Sequence, residues 1–179
     1  MSNGPLSGLR VLEMPSIGPV PYCAMLLADW GAEVLRLDRP ADAGLGLGTT
    51  SRFDLLGRGK ASLVLDLKAP HAAETVLDIV ANVDVVVEGF RPGTMERLGL
   101  GPDAAMDRNA RLVYGRMTGW GQDGPLAVAA GHDINYLALT GALHAIGEKG
   151  GAPIPPLNLA ADFGGGALFL AAGILAALH

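Results

Sequence analysis

Cysteine is nearly absent. The 179-residue chain holds one, Cys23, which excludes an intramolecular disulfide framework and fits a reducing compartment. Cys23 itself is expected in the core. Basic residues are outnumbered, 13 lysines and arginines against 18 aspartates and glutamates, and the formal charge of -5 argues against a general nucleic-acid binder. Small anionic ligands remain open to local clusters. No His, Cys or carboxylate pair recurs at ligand spacing, so no metal site is expected. There is no Gly-x-Ser-x-Gly elbow, and Cys23 lies in an apolar helical stretch without a partner base, which removes the usual hydrolase nucleophiles. The N-terminal Met1-Ser2-Asn3-Gly4-Pro5 lacks the basic and apolar regions of a signal peptide, and a cytoplasmic location is expected. The uniformly small, apolar run from Phe163 to Leu178 has 16 residues, short of a bilayer span, and reads as a buried helix entered at Asp162. His179 follows Leu175-Ala176-Ala177-Leu178 with no glycine, proline or polar tail, so the chain is expected to end inside an element.

What is present is apolar mass: half of the residues are hydrophobic, ample for one domain with its own core. β-rich runs at Arg10 to Met14, Glu33 to Asp38, Ala61 to Leu67, Asp84 to Glu88 and Arg111 to Arg116 alternate with helical patterns at Tyr22 to Trp30, Ala72 to Ala81 and Thr94 to Leu98. The alternation predicts an α/β fold, a Rossmann-like parallel sheet with flanking helices and right-handed crossovers. Two long apolar helices should follow, from about His132 to Ala145 and from Asp162 onward, joined by the Gly/Pro-rich loop of Gly147 to Pro156. No internal repeat is visible. Gly44-Leu45-Gly46-Leu47-Gly48 invites a phosphate-loop reading, but a dinucleotide fingerprint opens a helix directly after the first strand, where this chain has Pro15-Ser16-Ile17-Gly18-Pro19. That argues against NAD, and leaves Asp38, at the spacing of a ribose ligand, without its glycines.

Two segments about thirty residues apart stand out: Gly131-His132-Asp133-Ile134-Asn135-Tyr136, and Leu157-Asn158-Leu159-Ala160-Ala161-Asp162-Phe163-Gly164-Gly165-Gly166. Both read as helix starts, each with an ionisable side chain where free N–H groups create positive potential. Taken locally, Asp162 is an N-cap and His132 a polar first-turn residue; taken together, they can form an acid and base pair. A helix N-terminus favours ionised Asp162 and neutral His132. Asp133 faces elsewhere on its helix and reads as a cap or a supporting partner. Asn135 and Tyr136 can orient neighbours, although Tyr136 reads more strongly as a core aromatic with a wet hydroxyl. His71 and His144 read as surface residues.

The ordered segments Gly4-Pro5-Leu6-Ser7-Gly8-Leu9-Arg10-Val11, Ala28-Asp29-Trp30-Gly31-Ala32-Glu33-Val34, Glu88-Gly89-Phe90-Arg91-Pro92-Gly93 and Arg116-Met117-Thr118-Gly119-Trp120-Gly121-Gln122-Asp123-Gly124-Pro125 resemble the α-methylacyl-CoA racemase branch of the family III CoA-transferases. The resemblance runs over the whole chain. It implies a large CoA-binding domain, residues 1–179, with the family's smaller domain and C-terminal return segment lying outside this sequence, either because it is a fragment or because it is a short relative. It further implies a homodimer interlocked through that missing half, a role in lipid metabolism, an acyl-CoA thioester as substrate and no separate cofactor. By the same resemblance, His132 and Asp162 stand at the acid/base positions. Arg39, Leu65, Asp66, Leu67, Lys68, Gly89, Phe90, Arg91, Arg97 and Gly131 to Tyr136 match positions that contact CoA.

CoA carries a diphosphate and a 3'-phosphate, which call for guanidinium and ammonium groups. Arg39, Arg58, Lys60, Lys68, Arg91 and Arg97 lie at strand ends and following loops, where an open α/β sheet gathers its ligands. Each reads alternatively as a solvated surface charge. Inversion at the α-carbon needs a base on one face and an acid on the other, and the enolate between them needs donors, for which the amides of Phe163 to Gly166 are candidates; the glycines equally suit tight helix packing. The expected activity is racemisation or epimerisation of 2-methyl-branched acyl-CoA. The alternatives are a CoA-transferase with Asp162 as nucleophile, against which His132 weighs, and a CoA-binding module without turnover.

Overall fold

The computed structural model describes residues 4–40 and 53–179; the Gly44 to Gly48 segment lies outside them. Five strands, β1 (Arg10–Glu13), β2 (Glu33–Asp38), β3 (Lys60–Val64), β4 (Val85–Glu88) and β5 (Val113–Arg116), form one parallel sheet in the order β3-β2-β1-β4-β5. β-Branched and leucine side chains at its centre are covered on both faces, as parallel pairing with helical crossovers requires. Val11, Val85 and Val87 pack on one face with Val20, Cys23, Ala24 and Leu27 of α1 (Pro19–Asp29). Leu12 and Val86 pack on the other with Val76, Leu77 and Val80 of α2 (Ala72–Val80) and Met95 of α3 (Thr94–Arg97). Cys23 is fully buried, and burial pushes its thiol up to about 12.

Sequence and structure differ at helix boundaries for identifiable reasons. α1 starts at Pro19, three residues ahead of the predicted start, because Pro19 and Pro21 occupy the first turn, where their missing N–H groups have no partner to lose. α4 (Pro102–Arg108), again begun by a proline, was not predicted.

The expectation of two long apolar helices needs correction. The first is α5 (Asp133–Leu139), seven residues long; Gly141 at φ 79° takes the chain out of the helical ladder, and only a 3-10 turn, Ala142–Ala145, follows. The second is longer than the apolar run suggested. A π-helical stretch, Leu159–Ala167, runs directly into α6 (Leu168–Leu178), so the helix passes through Asp162 instead of starting there. Its 20 residues, with a mean hydropathy of 1.7, are long and apolar enough by length and composition to cross a membrane, which the 16-residue estimate had excluded. Ala167, Ala171 and Ile174 pack into the core with α1 and the sheet, whereas Leu168 and Phe169 are exposed.

Candidate functional site

Strand order reverses between β1 and β4, so the loops leaving their C-terminal ends diverge and open a crevice, the place where open α/β sheets bind ligands. A cleft of about 640 Å³ lies there. Ile17 to Val20 after β1, Gly89 to Pro92 after β4 and Met117 to Gly119 after β5 form its floor and walls, and Gly131, His132, Tyr136, Ala161, Asp162, Gly165 and Gly166 face it from the two later helices.

His132 is the N-cap of α5, in an extended backbone conformation that turns its exposed side chain toward the cleft. Its N–H donates to Asn135 Oδ1 at 2.9 Å, so Asn135 fixes the entry into the helix. Asp162 is partly buried in the π-helical stretch, where Phe163 stacks on Tyr22 of α1 at 4.4 Å and 10°. The backbone is tight behind it: a Cβ on Gly164 or Gly165 would come within 3.0 or 3.1 Å of the carbonyl oxygens of Leu159 and Ala160. Asp133 joins the two elements, its Oδ2 accepting the N–H groups of Ala161 and Asp162, both at 2.7 Å.

These bonds correct two expectations. The Phe163 N–H donates to Asn158 O at 3.3 Å, and a π-helix pairs each later amide with the carbonyl five residues back, so Phe163 to Gly166 do not present free donors. Nor does the helix terminus lower the proton affinity of Asp162. Burial pushes its carboxyl above the usual carboxylate range, the Asp133 charge adds to the rise, and His132 opposes it.

A carboxyl raised in the folded state favours folding when protonated. That contribution is complete below the unfolded aspartate pKa and is lost as pH rises through the folded one. Asp162→Asn is therefore expected to raise the thermal midpoint at pH 7, with the gap to wild type narrowing as pH falls below the ordinary aspartate range; an equal or lower midpoint at pH 7 would contradict the electrostatic account.

The other expected site residues divide. Gly89, Phe90, Arg91, Gly131 and Tyr136 line the cleft. Tyr136 meets Trp120 edge-on at 4.9 Å, and Gly119 and Gly131 leave room for it: a Cβ on Gly119 would overlap the Tyr136 hydroxyl, and one on Gly131 would come within 2.7 Å of its ring. Arg39 lies outside the lining but sits over the Phe90 ring, 5.9 Å from its centroid. Arg97, also outside, folds back to donate to Thr94 Oγ1 at 2.9 Å. Leu65 and Leu67 pack on the same core cluster as Phe90, in a turn where Asp66 Oδ1 accepts the Lys68 N–H at 2.9 Å. Ile134, 45% exposed, does not line the cleft. Arg58 and Lys60 are engaged elsewhere. Arg58 pairs with Asp29 at 2.5 Å, and Lys60 is buried against Glu13 at 2.6 Å and the Pro21 carbonyl at 2.9 Å.

The β1–α1 loop and the alanine wall at Ala127, Ala129 and Ala130 were missed, since neither carries ionisable chemistry. Glu88 was missed as well. Buried at the end of β4, it accepts the Phe90 N–H at 2.7 Å through Oε2 and Arg116 Nε at 3.1 Å through Oε1, which shapes the bend that delivers Gly89 to Arg91 into the cleft. A glutamate closing a run of three valines was the available signal.

The model for "CoA-transferase family III" matches residues 6–179. The chain is 50% identical over 175 residues to alpha-methylacyl-CoA racemase of Homo sapiens, covering 97% of this chain and 44% of that protein. It is 38% identical over 184 residues to the succinyl-CoA--L-malate CoA-transferase beta subunit of Chloroflexus aurantiacus, covering 98% and 45%. A crystal structure of a CAIB/BAIF family protein from Brucella suis superposes with a TM-score of 0.90 at 30% identity, covering 99% of this chain and 50% of that one. The chain thus spans about half the length of these relatives or less. It belongs to CoA-transferase family III.

Proposed function

We propose that the cleft binds a 2-methyl-branched acyl-CoA thioester and exchanges its α-proton between His132 and Asp162, making the protein a racemase or epimerase. The observation that carries this reading is the convergence of those two side chains. Thirty residues apart in sequence, they line one cleft that, among the described residues, presents no other imidazole and no other carboxylate. An imidazole exchanges protons near neutral pH, and burial moves the proton affinity of the Asp162 carboxyl up in that direction. The reading is tested in deuterated water, where both enantiomers of a 2-methylacyl-CoA should take up α-deuterium.

The transferase reading uses Asp162 as the nucleophile that carries an acyl group. Raised proton affinity lowers the fraction of nucleophilic carboxylate, which favours proton transfer. A transferase would instead require an acceptor acid and trap thioester label on Asp162. Binding without turnover would give CoA affinity and no exchange. The proposal extends to a homodimer interlocked through the half of the relatives that lies outside this sequence, which would cover the exposed Leu157, Leu159 and Phe169.

The phosphates of CoA are assigned to Arg39, over the Phe90 ring, together with Arg91 and Arg97. Arg39→Ala, Arg91→Ala and Arg97→Ala are each expected to weaken CoA binding by about 1.5 to 3 kcal/mol where a charged hydrogen bond is lost, measured by calorimetry. Lys149→Ala, on the distant loop, serves as the control, and three unchanged affinities would refute the assignment.

A further inference from the structure

Asp133 follows His132 in sequence, yet its side chain serves the other half of the cleft. It is 4% exposed, and its Oδ2 accepts the N–H groups of Ala161 and Asp162 at 2.7 Å each, two amides at the start of a helix with no carbonyl of their own turn to pair with. Bonds of that length and kind suit an ionised acceptor. Its Oδ1 is equally buried and has no hydrogen-bond partner among the described residues. Leaving half of a buried carboxylate unpaired is costly. Asparagine would offer the same acceptor to the two amides with an NH2 group in place of Oδ1, so the two side chains differ in that second atom and in the charge a carboxylate carries.

That charge has a definite neighbour. The ionisable groups on elements packed against the Asp162 helix are His132, Asp133 and Tyr136 from α5, Tyr22, Cys23 and Asp29 from α1, Tyr114 and Arg116 from β5, and His179 at the far end of α6, with Arg91 across the cleft. Of these, Asp133 raises and His132 lowers the proton affinity of Asp162.

We propose that Asp133 is a positioning residue that locks the first turn of the Asp162 helix to the start of the His132 helix and holds a fixed negative charge beside Asp162. The proposal rests on the two-base reading of the cleft and deepens it by naming the residue that holds Asp162 in place opposite His132. In the passage that begins with unprotonated His132 and protonated Asp162, the His132 imidazole removes the α-proton from one face. Asp162 then gives its own proton to the opposite face, leaving imidazolium and carboxylate, and the reverse passage restores the starting pair. No proton is gained or lost over the two passages.

The test separates the tether from the charge, and needs no turnover. In protein labelled with carboxyl-¹³C aspartate, the Asp162 signal is identified by its absence in Asp162→Asn and titrated in wild type, Asp133→Asn and Asp133→Ala. In Asp133→Asn the Ala161 and Asp162 amide resonances should stay close to their wild-type positions while the Asp162 midpoint moves down toward the ordinary carboxylate range. In Asp133→Ala those amide resonances should move as well, and kcat for α-proton exchange should fall about 100-fold, the scale of a misplaced catalytic group. In active protein, Asp133→Asn should shift the Asp162 limb of the pH profile to lower pH with KM unchanged. An Asp162 midpoint that stays put in Asp133→Asn overturns the charge, and unmoved amides in Asp133→Ala overturn the tether. If Asp162 titrates as expected in a wild type that exchanges no α-proton, the two-base reading fails while the role of Asp133 in holding Asp162 stands.

Discussion

Replacing His132 with alanine is expected to abolish net inversion of a 2-methylacyl-CoA while leaving α-deuterium uptake by one enantiomer intact, and Asp162→Asn should give the mirror result. The pattern follows from placing one base on each face of a planar enolate. Removing His132 leaves Asp162 able to deprotonate from its own side and return deuterium to that side, which gives exchange without inversion. Loss of a general base costs about 100-fold or more for the enantiomer it serves. Enantiomer-resolved mass and NMR analysis of recovered thioester reads both quantities in one experiment. Equal suppression of both enantiomers by either substitution would point to a single base. An acceptor-dependent CoA exchange that survives His132→Ala and disappears in Asp162→Asn would point to transferase chemistry.

The second large effect concerns stability. Glu13 at the end of β1 and Lys60 at the start of β3 are each 1% exposed in their side chains and meet at 2.6 Å. Burial alone would discharge both, raising the affinity of Glu13 for its proton and lowering that of Lys60, and their mutual attraction opposes the loss. Lys60 Nζ also reaches the Pro21 carbonyl, tying the edge strand to the first turn of α1 beside the cleft. Lys60→Met leaves an uncompensated buried carboxylate and is expected to cost about 3 to 5 kcal/mol, with Glu13→Leu costing a similar amount. The double replacement should recover most of either loss, because two apolar side chains of similar volume need no partner. Urea unfolding at constant m-value gives the three numbers. Two inexpensive single variants, or strict additivity in the double, would show that the pair is not coupled in this way.

The sheet was legible because its strands carry runs that must be buried on both faces, such as Val85-Val86-Val87, and because prolines and glycines punctuate them. Helix starts were harder. Pro19 and Pro21 read as breakers yet sit in a first turn, and the π-helical stretch before α6 has no sequence rule that separates it from a loop. The acid and base pair could be marked as ionisable groups at helix starts, but the sign of the Asp162 shift could not. It depends first on the burial of the carboxyl in the folded cleft, and then on Asp133 arriving from another helix to take the amides that a sequence reading had left free. In the same way, Lys60 and Arg58 looked like phosphate ligands because spacing does not reveal that Glu13 and Asp29 fold against them.

The position of the reacting carbon tests the central claim most directly. A crystal structure of the protein with a 2-methylacyl-CoA bound should show the α-carbon between the His132 imidazole and the Asp162 carboxyl, each about 3 to 3.5 Å away and on opposite faces, the spacing of a near-attack geometry. The CoA phosphates should lie against Arg39, Arg91 and Arg97. An α-carbon with both groups on one face, or a thioester seated outside the cleft, would contradict the account.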